Sequence, residues 1–473
     1  MKTFWSTRHC ITIMASVSTL PCVILLVCIS STALGKPDNT SSCTMEMFGN
    51  SSNAFWACRT ELALQMNWFP DPIAGLFSYQ TWNGFDGFWQ NGAVLEPVVN
   101  FMHYANNTRH LSIIKNSVRP LNSLLLAYGP EPSYDDMAWF GLSYARIYEI
   151  FGDESFLTSA KDIFDHNWMR GWDTSGNCTG GMWFDYTRGS KQTITNVQTL
   201  QLGARLYRLT GLKDKDLLKK VNKQWQYIVQ NKLVDPHTYY VADGVDYNNK
   251  TNNCTANKVF GPTYNSGVLI GGLVELYRIT NQSSHLSLAH KLANATITNS
   301  TKGGIFREYC EDTGGCNDDA LMYKGIFVRN LRYLMDVSDN NTRTYYNVWI
   351  QSNVKAVLSR SRCEPLVEKC NITYKDGPPA HNVTGPLFGT TWAGPYNQSA
   401  PMQETCVLDL FTSSIPRGVK CVGQGCTYDP PNPPPIHLTC DSHPCPPGED
   451  CCNVGRSFTC CDITQKCKNG ICT

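Results

Sequence analysis

Apolar residues between positions 36 and 415 recur at the spacing of α-helices. Two successive stripes, each with members three or four residues apart, define a pair of amphipathic helices. The first stripe comprises Phe140, Tyr144, Ile147, Tyr148 and Phe151, and the second comprises Phe156, Ala160, Ile163 and Phe164. We therefore predict an all-α domain built from helix hairpins.

A degenerate motif marks the end of the first helix in each pair. Ile147–Gly152 resembles Leu206–Gly211 and Leu276–Asn281, and Leu331–Leu334 is a weaker copy. The Gly or Asn at the end of the first three copies suits the left-handed position that closes a helix. Helix pairs repeated at this length either stack into a solenoid or close into an (α/α) barrel.

Polar and aromatic residues recur ten to twelve positions before these motifs, where one set of helices would begin. The positions are Asp135–Met137, Ile194–Asn196, Tyr264–Ser266 and, for an earlier helix ending near Phe101, Trp89–Asn91. Helix capping accounts for Ser and Asp at such positions, but it accounts less well for Trp-Gln-Asn and Tyr-Asn. If the helices close into a barrel, these residues would form a site at one mouth.

Asp135 and Asp136 are the strongest candidates for chemistry. With Ser133 as the N-cap, Asp136 occupies position N3, and both acids meet the positive end of the helix dipole. Capping alone explains most such pairs. Adjacent residues on one turn can also bring two carboxyl groups within about 5–5.5 Å, the separation found in retaining glycosidases. One carboxyl must then stay ionised while the other holds a proton, through desolvation or its neighbour's charge.

The segment Tyr134–Phe140 resembles the Asp-Asp signature of glycoside hydrolase family 76, the endo-α-1,6-mannanases. Similar segments follow in the family's order, at Gly180–Asp185, Thr193–Asn196, Ala204–Arg208, Thr263–Gly267 and Lys324–Asn330. The resemblance covers roughly residues 55–415. It implies an (α/α)6 barrel and a retaining mechanism without a metal or cofactor, in which Asp135 is the nucleophile and Asp136 the general acid/base.

The resemblance also implies a substrate, namely α-1,6-linked mannan or a mannoprotein glycan, and a monomeric enzyme is expected. Aromatic faces would stack on pyranose rings, while amides would bind hydroxyl groups. The predicted substrate-binding residues are Trp89, Gln90, Asn91, Trp139, Trp183, Asn196, Tyr264 and Asn265. Two alternatives stay open: a transglycosylase that uses the same acids, and a mannan-binding protein without turnover.

A second acidic pair, Asp318-Asp319, lies just after Cys310 and Cys316 in a predicted loop. It is interpreted as solvated or as lying at the edge of the substrate site. No His-Glu-X-X-His motif, P-loop or dinucleotide-binding fingerprint is present. The net charge is only +1 and no long basic stretch occurs, so nothing indicates a nucleic-acid partner.

The N-terminus is typical of a secretory signal peptide, predicted at residues 1–35. Lys2 and Arg8 precede an apolar stretch, and Ala33 and Gly35 offer a cleavage site. An uncleaved anchor is the alternative, but Pro21 and interspersed polar residues make the stretch a poor membrane span. Thirteen Asn-X-Ser/Thr sequons agree with export. We expect a secreted, extracellular glycoprotein without a stable membrane anchor.

The domain prediction places the glycoside hydrolase domain at 36–415, a Pro-rich linker at 416–436 and a Cys-rich miniature module at 437–473. Nineteen of the 22 cysteines follow the signal segment, nine of them in the long domain and ten from Cys421 onward. The unpaired cysteine should therefore belong to the long domain. Cys310 with Cys316 and Cys363 with Cys370 would close short loops. Cys178 either pairs with Cys254 or stays a free thiol.

Overall fold

The protein is described by a computed structural model. It describes residues 43–68, 87–129, 133–175, 178, 180–248, 250–251, 253–257, 261–373, 383–423 and 426, and six short strands beyond residue 438. The predicted signal peptide lies outside the described residues. Within the described part, no helix is long and apolar enough to cross a membrane.

Helices make up most of the described chain. Their bounds are α1 (Ser52–Trp68), α2 (Phe88–Ala93), α3 (Leu95–Ala105), α4 (Leu111–Lys115), α5 (Leu121–Tyr128), α6 (Tyr134–Phe151), α7 (Glu154–Gly171), α8 (Thr193–Leu209), α9 (Lys215–Gln230), α10 (Thr263–Thr280), α11 (Ser283–Asn299), α12 (Tyr309–Thr313), α13 (Ala320–Val337), α14 (Asn340–Arg360) and α15 (Pro401–Ser414).

Six of these helices close into a ring. In order around it they are α3, α6, α8, α10, α13 and α15, each packed on the next, and α15 returns to α3. Helices α7, α9, α11 and α14 pack outside as the second members of the predicted pairs, and α1 packs against α15 and α3. Closure of the ring decides for a barrel over a solenoid, and the (α/α)6 prediction is confirmed.

The inner and outer helices differ in how many of their faces are buried. Helix α8 buries every residue from Thr193 to Tyr207, whereas α9 buries only one stripe at Leu217, Val221, Gln224, Tyr227 and Ile228. A helix buried all round belongs inside, and an amphipathic helix belongs at the surface. Because each outer helix carries the chain back, all inner helices begin at the same end of the barrel.

The predicted helix ends are confirmed. Gly152 and Asn281 close α6 and α10 with φ angles of 72° and 55°, and Gly211 follows α8 with a φ of 79°. One prediction was wrong in detail, because the helix expected to end near Phe101 is divided in two. Trp89, Gln90 and Asn91 lie on the short α2, and α3 begins only at Leu95.

A buried network of charges joins the inner helices below this end. Glu96 of α3 forms 3.0 Å ion pairs with Arg205 of α8 and Arg329 of α13. Arg329 also pairs with Asp409 of α15 at 3.1 Å. Since each of these four side chains is at most 4% exposed, their charges can be buried only because they neutralise one another.

Helices α6 and α10 join the same network through the repeated motif. Arg208 lies 2.6 Å from Glu275 of α10 and 2.7 Å from Glu149 of α6, and Arg205 lies 3.5 Å from Glu275. Glu149 and Arg208 occupy the same position in the first two copies of the motif. The repeat therefore carries paired charges across the barrel as well as apolar packing.

Short antiparallel strands lie in the connections between helices. They are β1 (Lys191–Gln192), β2 (Gly244–Asn248), β3 (Asn253–Ala256), β4 (Thr301–Lys302), β5 (Ile305–Phe306), β6 (Arg362–Cys363) and β7 (Leu387–Phe388). Strands β1, β2 and β3 form one sheet in that order. This sheet brings the α7–α8 connection beside the α9–α10 connection.

The C-terminal part contains three further two-stranded sheets. They pair β8 (Thr439–Cys440) with β9 (His443–Pro444), β10 (Asp450–Val454) with β11 (Ser457–Cys461), and β12 (Cys467–Lys468) with β13 (Ile471–Cys472). Small hairpins of this kind suit the predicted Cys-rich module.

Residues just beyond 415, where the linker is predicted to begin, contact the helical domain. Residues beyond 415 turn back onto the helical domain: the Arg417 side chain donates to the Asp336 backbone oxygen at 2.7 Å. The Val422 amide donates to the Met47 oxygen and the Thr108 amide to the Cys426 oxygen. Arg417, Val422 and Cys426 therefore contact the helical domain, and the predicted domain bounds stay a prediction.

The cysteine predictions for the long domain are confirmed. Disulfides join Cys43 to Cys58, Cys178 to Cys254, Cys310 to Cys316, Cys363 to Cys370 and Cys421 to Cys426. The buried Cys406 is the free cysteine of the described chain, so the unpaired cysteine does belong to the barrel.

Candidate active site

Asp135 and Asp136 stand at positions N2 and N3 of α6, as predicted. Ser133 is the N-cap in an extended conformation, although its side chain makes no capping hydrogen bond. The first turn is held from outside: the Tyr134 amide donates to the Phe184 oxygen at 2.9 Å, and Asn167 donates to the Tyr134 oxygen at 2.7 Å. Asp135 is 8% exposed, and Asp136 is half-buried.

The environment of Asp135 favours its neutral form. Burial raises the pKa of Asp135 well above that of an ordinary aspartate, and the negative charges of Asp136 and Asp319 add to this effect. The amides at the helix start act in the opposite direction. Oδ1 of Asp135 has no hydrogen-bond partner among the described residues. A carboxyl pair of this kind retains a proton at a pH where an isolated aspartate is ionised.

Aromatic side chains from four helices line this end of the barrel. The ring of Trp89 lies 5.4 Å from that of Trp139, which stacks on Tyr264 at 6.2 Å. Tyr264 in turn stacks on Tyr323 at 3.9 Å with an interplanar angle of 10°. Three of these four residues were predicted from the sequence. Together they form a continuous aromatic wall of the sort on which sugar rings stack.

Asp319, the residue before α13, is hydrogen-bonded to this aromatic wall. Its Oδ1 accepts hydrogen bonds from Trp89 Nε1 at 2.7 Å and from Gln90 Nε2 at 2.9 Å. Asp318 is exposed, so the two members of this second acidic pair have different roles. The half-buried Asp319 places a third negative charge close enough to Asp135 to raise its pKa.

Sequence reasoning missed Tyr323 and left Asp319 open as solvated or at the edge of the substrate site, yet a stronger signal for Asp319 was present. The fourth copy of the motif begins at Leu331, and twelve residues before it stands Asp319. Asp135, Ile194 and Tyr264 have the same offset in the other three copies. Applying the rule to the weakest copy would have added Asp319 to the predicted rim. Tyr323 lies one turn further into α13, eight residues before Leu331, at the offset that Trp139 has from Ile147, so the same rule could have found it.

The three predicted asparagines are committed to bonds within the protein. Asn196 donates to the backbone oxygens of Met182 and Gln192 at 3.1 and 2.8 Å, and its oxygen accepts from the Met182 amide and from Gln224. These four bonds use its whole hydrogen-bonding capacity. Asn196 is therefore occupied in holding the chain around Met182.

Asn91 and Asn265 each keep one oxygen without a partner. The Asn91 amide donates to the Gly87 oxygen at 2.8 Å, and the Asn265 amide donates to Asp243 Oδ1 at 3.0 Å. Both residues are fully buried, and neither Oδ1 has a hydrogen-bond partner among the described residues.

Trp183 belongs to the α7–α8 connection, not to a helix start. Its amide donates to the Gly171 oxygen at 2.9 Å, and its half-buried ring lies under the ammonium group of Lys191 at 4.5 Å. The next residue, Phe184, accepts the bond from the Tyr134 amide. Trp183 is thereby fixed beside the first turn of α6.

The two carboxyl groups of Asp135 and Asp136 are the candidate reactive feature of this site. Among the described residues no group of three or more His, Cys, Asp or Glu side chains is arranged to hold a metal ion. The arrangement can donate a proton from one carboxyl and supply a nucleophile or base from the other.

Comparison with known families decides the class of protein. The model of "Glycosyl hydrolase family 76" matches residues 41–415. The chain belongs to glycosyl hydrolase family 76. The match spans the entire helical domain and contains both aspartates.

Curated relatives and solved structures agree with this family. The chain is 31% identical over 289 residues to the putative mannan endo-1,6-alpha-mannosidase C1198.07c of Schizosaccharomyces pombe, covering 57% of this chain and 63% of that protein. It is 23% identical over 385 residues to the mannan endo-1,6-alpha-mannosidase DCW1 of Candida glabrata, covering 74% and 80%.

An inactive variant of the α-1,6-mannanase GH76A of Salegentibacter sp., in complex with α-1,6-mannotriose, has a similar fold. The TM-score is 0.61 at 18% identity, and the alignment covers 77% of this chain and 99% of the bacterial one. At this identity the likeness establishes the shared barrel.

Proposed function

We propose that the protein is a secreted, retaining endo-glycosidase that hydrolyses α-1,6-mannosidic linkages in mannan. The observation that carries the proposal is the buried carboxyl pair at the aromatic end of a family 76 barrel. The relatives named above act, by their names, on 1,6-α-mannosidic linkages of mannan. The bacterial variant described as inactive carries Asn in place of two consecutive aspartates.

The first step forms a glycosyl-enzyme ester. Asp136 gives its proton to the glycosidic oxygen, Asp135 attacks the anomeric carbon, and the leaving sugar departs as an alcohol. In the second step Asp136 takes a proton from water, whose oxygen attacks the same carbon and releases Asp135 as a carboxylate. Two inversions at one carbon retain its configuration.

The raised pKa of Asp135 means that in the empty site the proton rests on the buried acid, so it must leave Asp135 before this residue can act as the nucleophile. Burial favours neutral Asp135 while the site is empty of positive charge. The anomeric carbon becomes electron-poor as the bond breaks, and a positive centre beside Asp135 favours its ionised form. The proton then belongs on the more exposed Asp136, which faces the leaving group.

Substrate contacts are assigned to the aromatic side chains at this end of the barrel. Trp89, Trp139, Trp183 and Tyr264 offer faces for pyranose rings, whereas Asn91 and Asn265 are fully buried and support the rim through their bonds to the Gly87 oxygen and to Asp243. We assign Asn196 a positioning role because its amide is already saturated. Gln90 acts with Trp89 in holding Asp319.

Export is part of the proposal. Thirteen sequons and an N-terminal signal pattern accompany five disulfides among the described residues, and disulfides persist in oxidising compartments. Recovery of the glycosylated protein from the medium of an expressing eukaryotic culture tests this point, and retention in the cytosol would contradict it.

One incubation tests the activity. Linear α-1,6-mannan is treated with the purified protein, and products are separated by size while NMR follows the first anomer formed. Shorter chains with an initial α-anomer support retaining hydrolysis. Longer chains indicate transglycosylation through the same intermediate, and unchanged mannan that binds the protein indicates a non-catalytic mannan-binding protein. Either of the last two outcomes overturns the hydrolase assignment.

A further inference from the structure

Lys191 is a buried cation with no part in the proposed chemistry. The residue is 4% exposed and lies on β1, just before α8. Its ammonium group donates to Asp173 Oδ2 at 2.5 Å and to the backbone oxygens of Cys178 and Gly180 at 2.6 and 2.8 Å. A carboxylate and two carbonyl groups thus converge on one nitrogen, in the way that oxygen ligands surround a bound cation.

These three acceptors all belong to residues 172–175, 178 and 180–183, a set that includes Trp183 and is here called the Trp183 segment. The segment folds back on itself, since the Asp173 amide donates to the Gly181 oxygen and the Gly180 amide to the Asp173 oxygen. Gly180 and Gly181 have φ angles of 92° and 76°, which L-residues rarely adopt. Such a tight fold directs several carbonyl oxygens inward, and a buried positive charge is needed to satisfy them.

The same ammonium group contacts the face of Trp183 directly. It lies 4.5 Å from the centre of that ring and 5.8 Å from the centre of Tyr227. One cation therefore ties the turn of the segment to the orientation of its indole. Asn196 fixes Met182 from the opposite side through both backbone groups.

The Trp183 segment is attached to the candidate active site at one end and to the neighbouring loop at the other. Phe184 accepts the hydrogen bond from Tyr134, the residue before Asp135. Cys178 is bonded to Cys254 on β3. A displacement of Trp183 would therefore change the wall beside the carboxyl pair without removing either acid.

We propose that Lys191 is a positioning residue for substrate binding. Its buried ammonium group takes the place that a structural cation would have, holds the Trp183 segment folded around it and orients the Trp183 ring beside Asp135. The oriented ring is a platform on which a mannose unit stacks. The inference rests on the proposed function, because it assigns the ring to that substrate. Lys191 itself does not contact the reacting atoms.

The test compares Lys191→Met with Trp183→Ala and with the double variant on α-1,6-mannan. Each single change is expected to raise KM about tenfold and to leave kcat within about threefold, because ring stacking contributes mainly to binding. The double variant should be no worse than Trp183→Ala, since both changes remove the same platform. Lys220→Met is the matched control, because Lys220 also pairs with carboxylates and contacts a ring, but on the outer helices.

A second variant guards against simple misfolding. Lys191→Ala leaves a cavity that propylammonium can enter, and adding this amine should restore KM by severalfold in Lys191→Ala but not in Trp183→Ala. Additive effects on KM in the double variant would show that Lys191 acts independently of Trp183, and a lower melting temperature with unchanged KM would show that Lys191 serves stability alone. Either outcome overturns the proposal.

Hydrogen exchange separates this proposal from the proposed function. Lys191→Met should accelerate amide exchange in the Trp183 segment relative to wild type and Lys220→Met, whether or not the protein cleaves mannan. If wild type neither cleaves nor binds mannan, the proposed substrate is wrong. Unchanged exchange in Lys191→Met contradicts the positioning role itself.

Discussion

Trp89 Nε1 donates a 2.7 Å hydrogen bond to Oδ1 of Asp319, although 230 residues separate them in the chain. The bond joins the start of α2 to the start of α13 at the open end of the barrel. It fixes an aromatic ring of the wall and a carboxylate that faces Asp135 at the same time. The site is therefore a coupled unit in which orientation and charge are set together.

The first prediction concerns the carboxyl pair. Asp135→Asn and Asp136→Asn should each lower kcat/KM on mannan by about 10³-fold or more, because each removes one partner of a two-carboxylate mechanism. With an activated aryl mannoside, Asp136→Asn should still form the glycosyl-enzyme, since a good leaving group needs little protonation. Mass spectrometry of the trapped intermediate provides the measurement.

Asp318→Asn is the matched control for that experiment. It changes an exposed aspartate of the neighbouring acidic pair and should retain nearly full activity. Nearly normal turnover of mannan by either Asp135→Asn or Asp136→Asn would refute the assignment, and circular dichroism establishes that each variant is folded.

The second prediction concerns the charge of Asp319. Its negative charge raises the pKa of Asp135, so Asp319→Asn should lower the pKa of Asp135 and, because the nucleophile must be ionised, move the acid limb of the kcat/KM profile to lower pH. An asparagine oxygen can still accept the bond from Trp89, so the change removes charge more than geometry. Unshifted limbs, measured beside Asp318→Asn, would mean that Asp319 acts only through hydrogen bonds.

The third prediction concerns the buried charge network. Glu96→Gln leaves Arg205 and Arg329 without their shared carboxylate and should reduce the free energy of unfolding by about 3–5 kcal/mol. Lys161→Gln, which breaks the exposed pair with Asp165, should cost at most about 1 kcal/mol. Denaturant unfolding of both variants at neutral pH makes the comparison. Equal losses would argue against a structural role for the network.

The fourth prediction concerns Glu308 at the start of α12. Burial raises its pKa to about 7, although hydrogen bonds from Thr263 and the charge of Lys324 act to lower it and Glu311 acts to raise it. Between about pH 4.5 and 7 the folded protein keeps a proton that the unfolded chain has lost. Rising pH therefore lowers the stability contributed by this group, by about 3 kcal/mol across that range.

Glu308→Gln removes this titration while retaining an oxygen for Thr263. The variant should gain stability relative to wild type as the pH rises from 5 to 8, and thermal unfolding at several pH values measures the difference. Glu154→Gln, at an exposed position, should show no such trend. A constant difference between Glu308→Gln and wild type would exclude the buried acid as its source.

The sequence by itself determined that this protein is built from helix hairpins. Hydrophobic spacing defined the helix pairs, and Gly152 and Asn281 ended helices where the left-handed conformation was required. Both signals are local, because they depend on residues within one or two helical turns. The fixed offset from the repeated motif also placed Asp135 and Tyr264 at equivalent helix starts, and parallel inner helices bring equivalent starts to one end. Counting cysteines assigned the unpaired one to the barrel, where it is Cys406.

Only the tertiary structure decided which of these side chains meet and which are already occupied. The bond between Trp89 and Asp319 crosses the barrel mouth, and Asn196 spends its amide on Met182, Gln192 and Gln224. Periodicity specifies the face on which a residue lies, but hydrogen bonds depend on distances between segments that are remote in sequence. Only the closed ring showed that Asn196, predicted to bind sugar, uses its hydrogen bonds on neighbouring residues. Only the closed ring placed Asp319 beside the catalytic candidates.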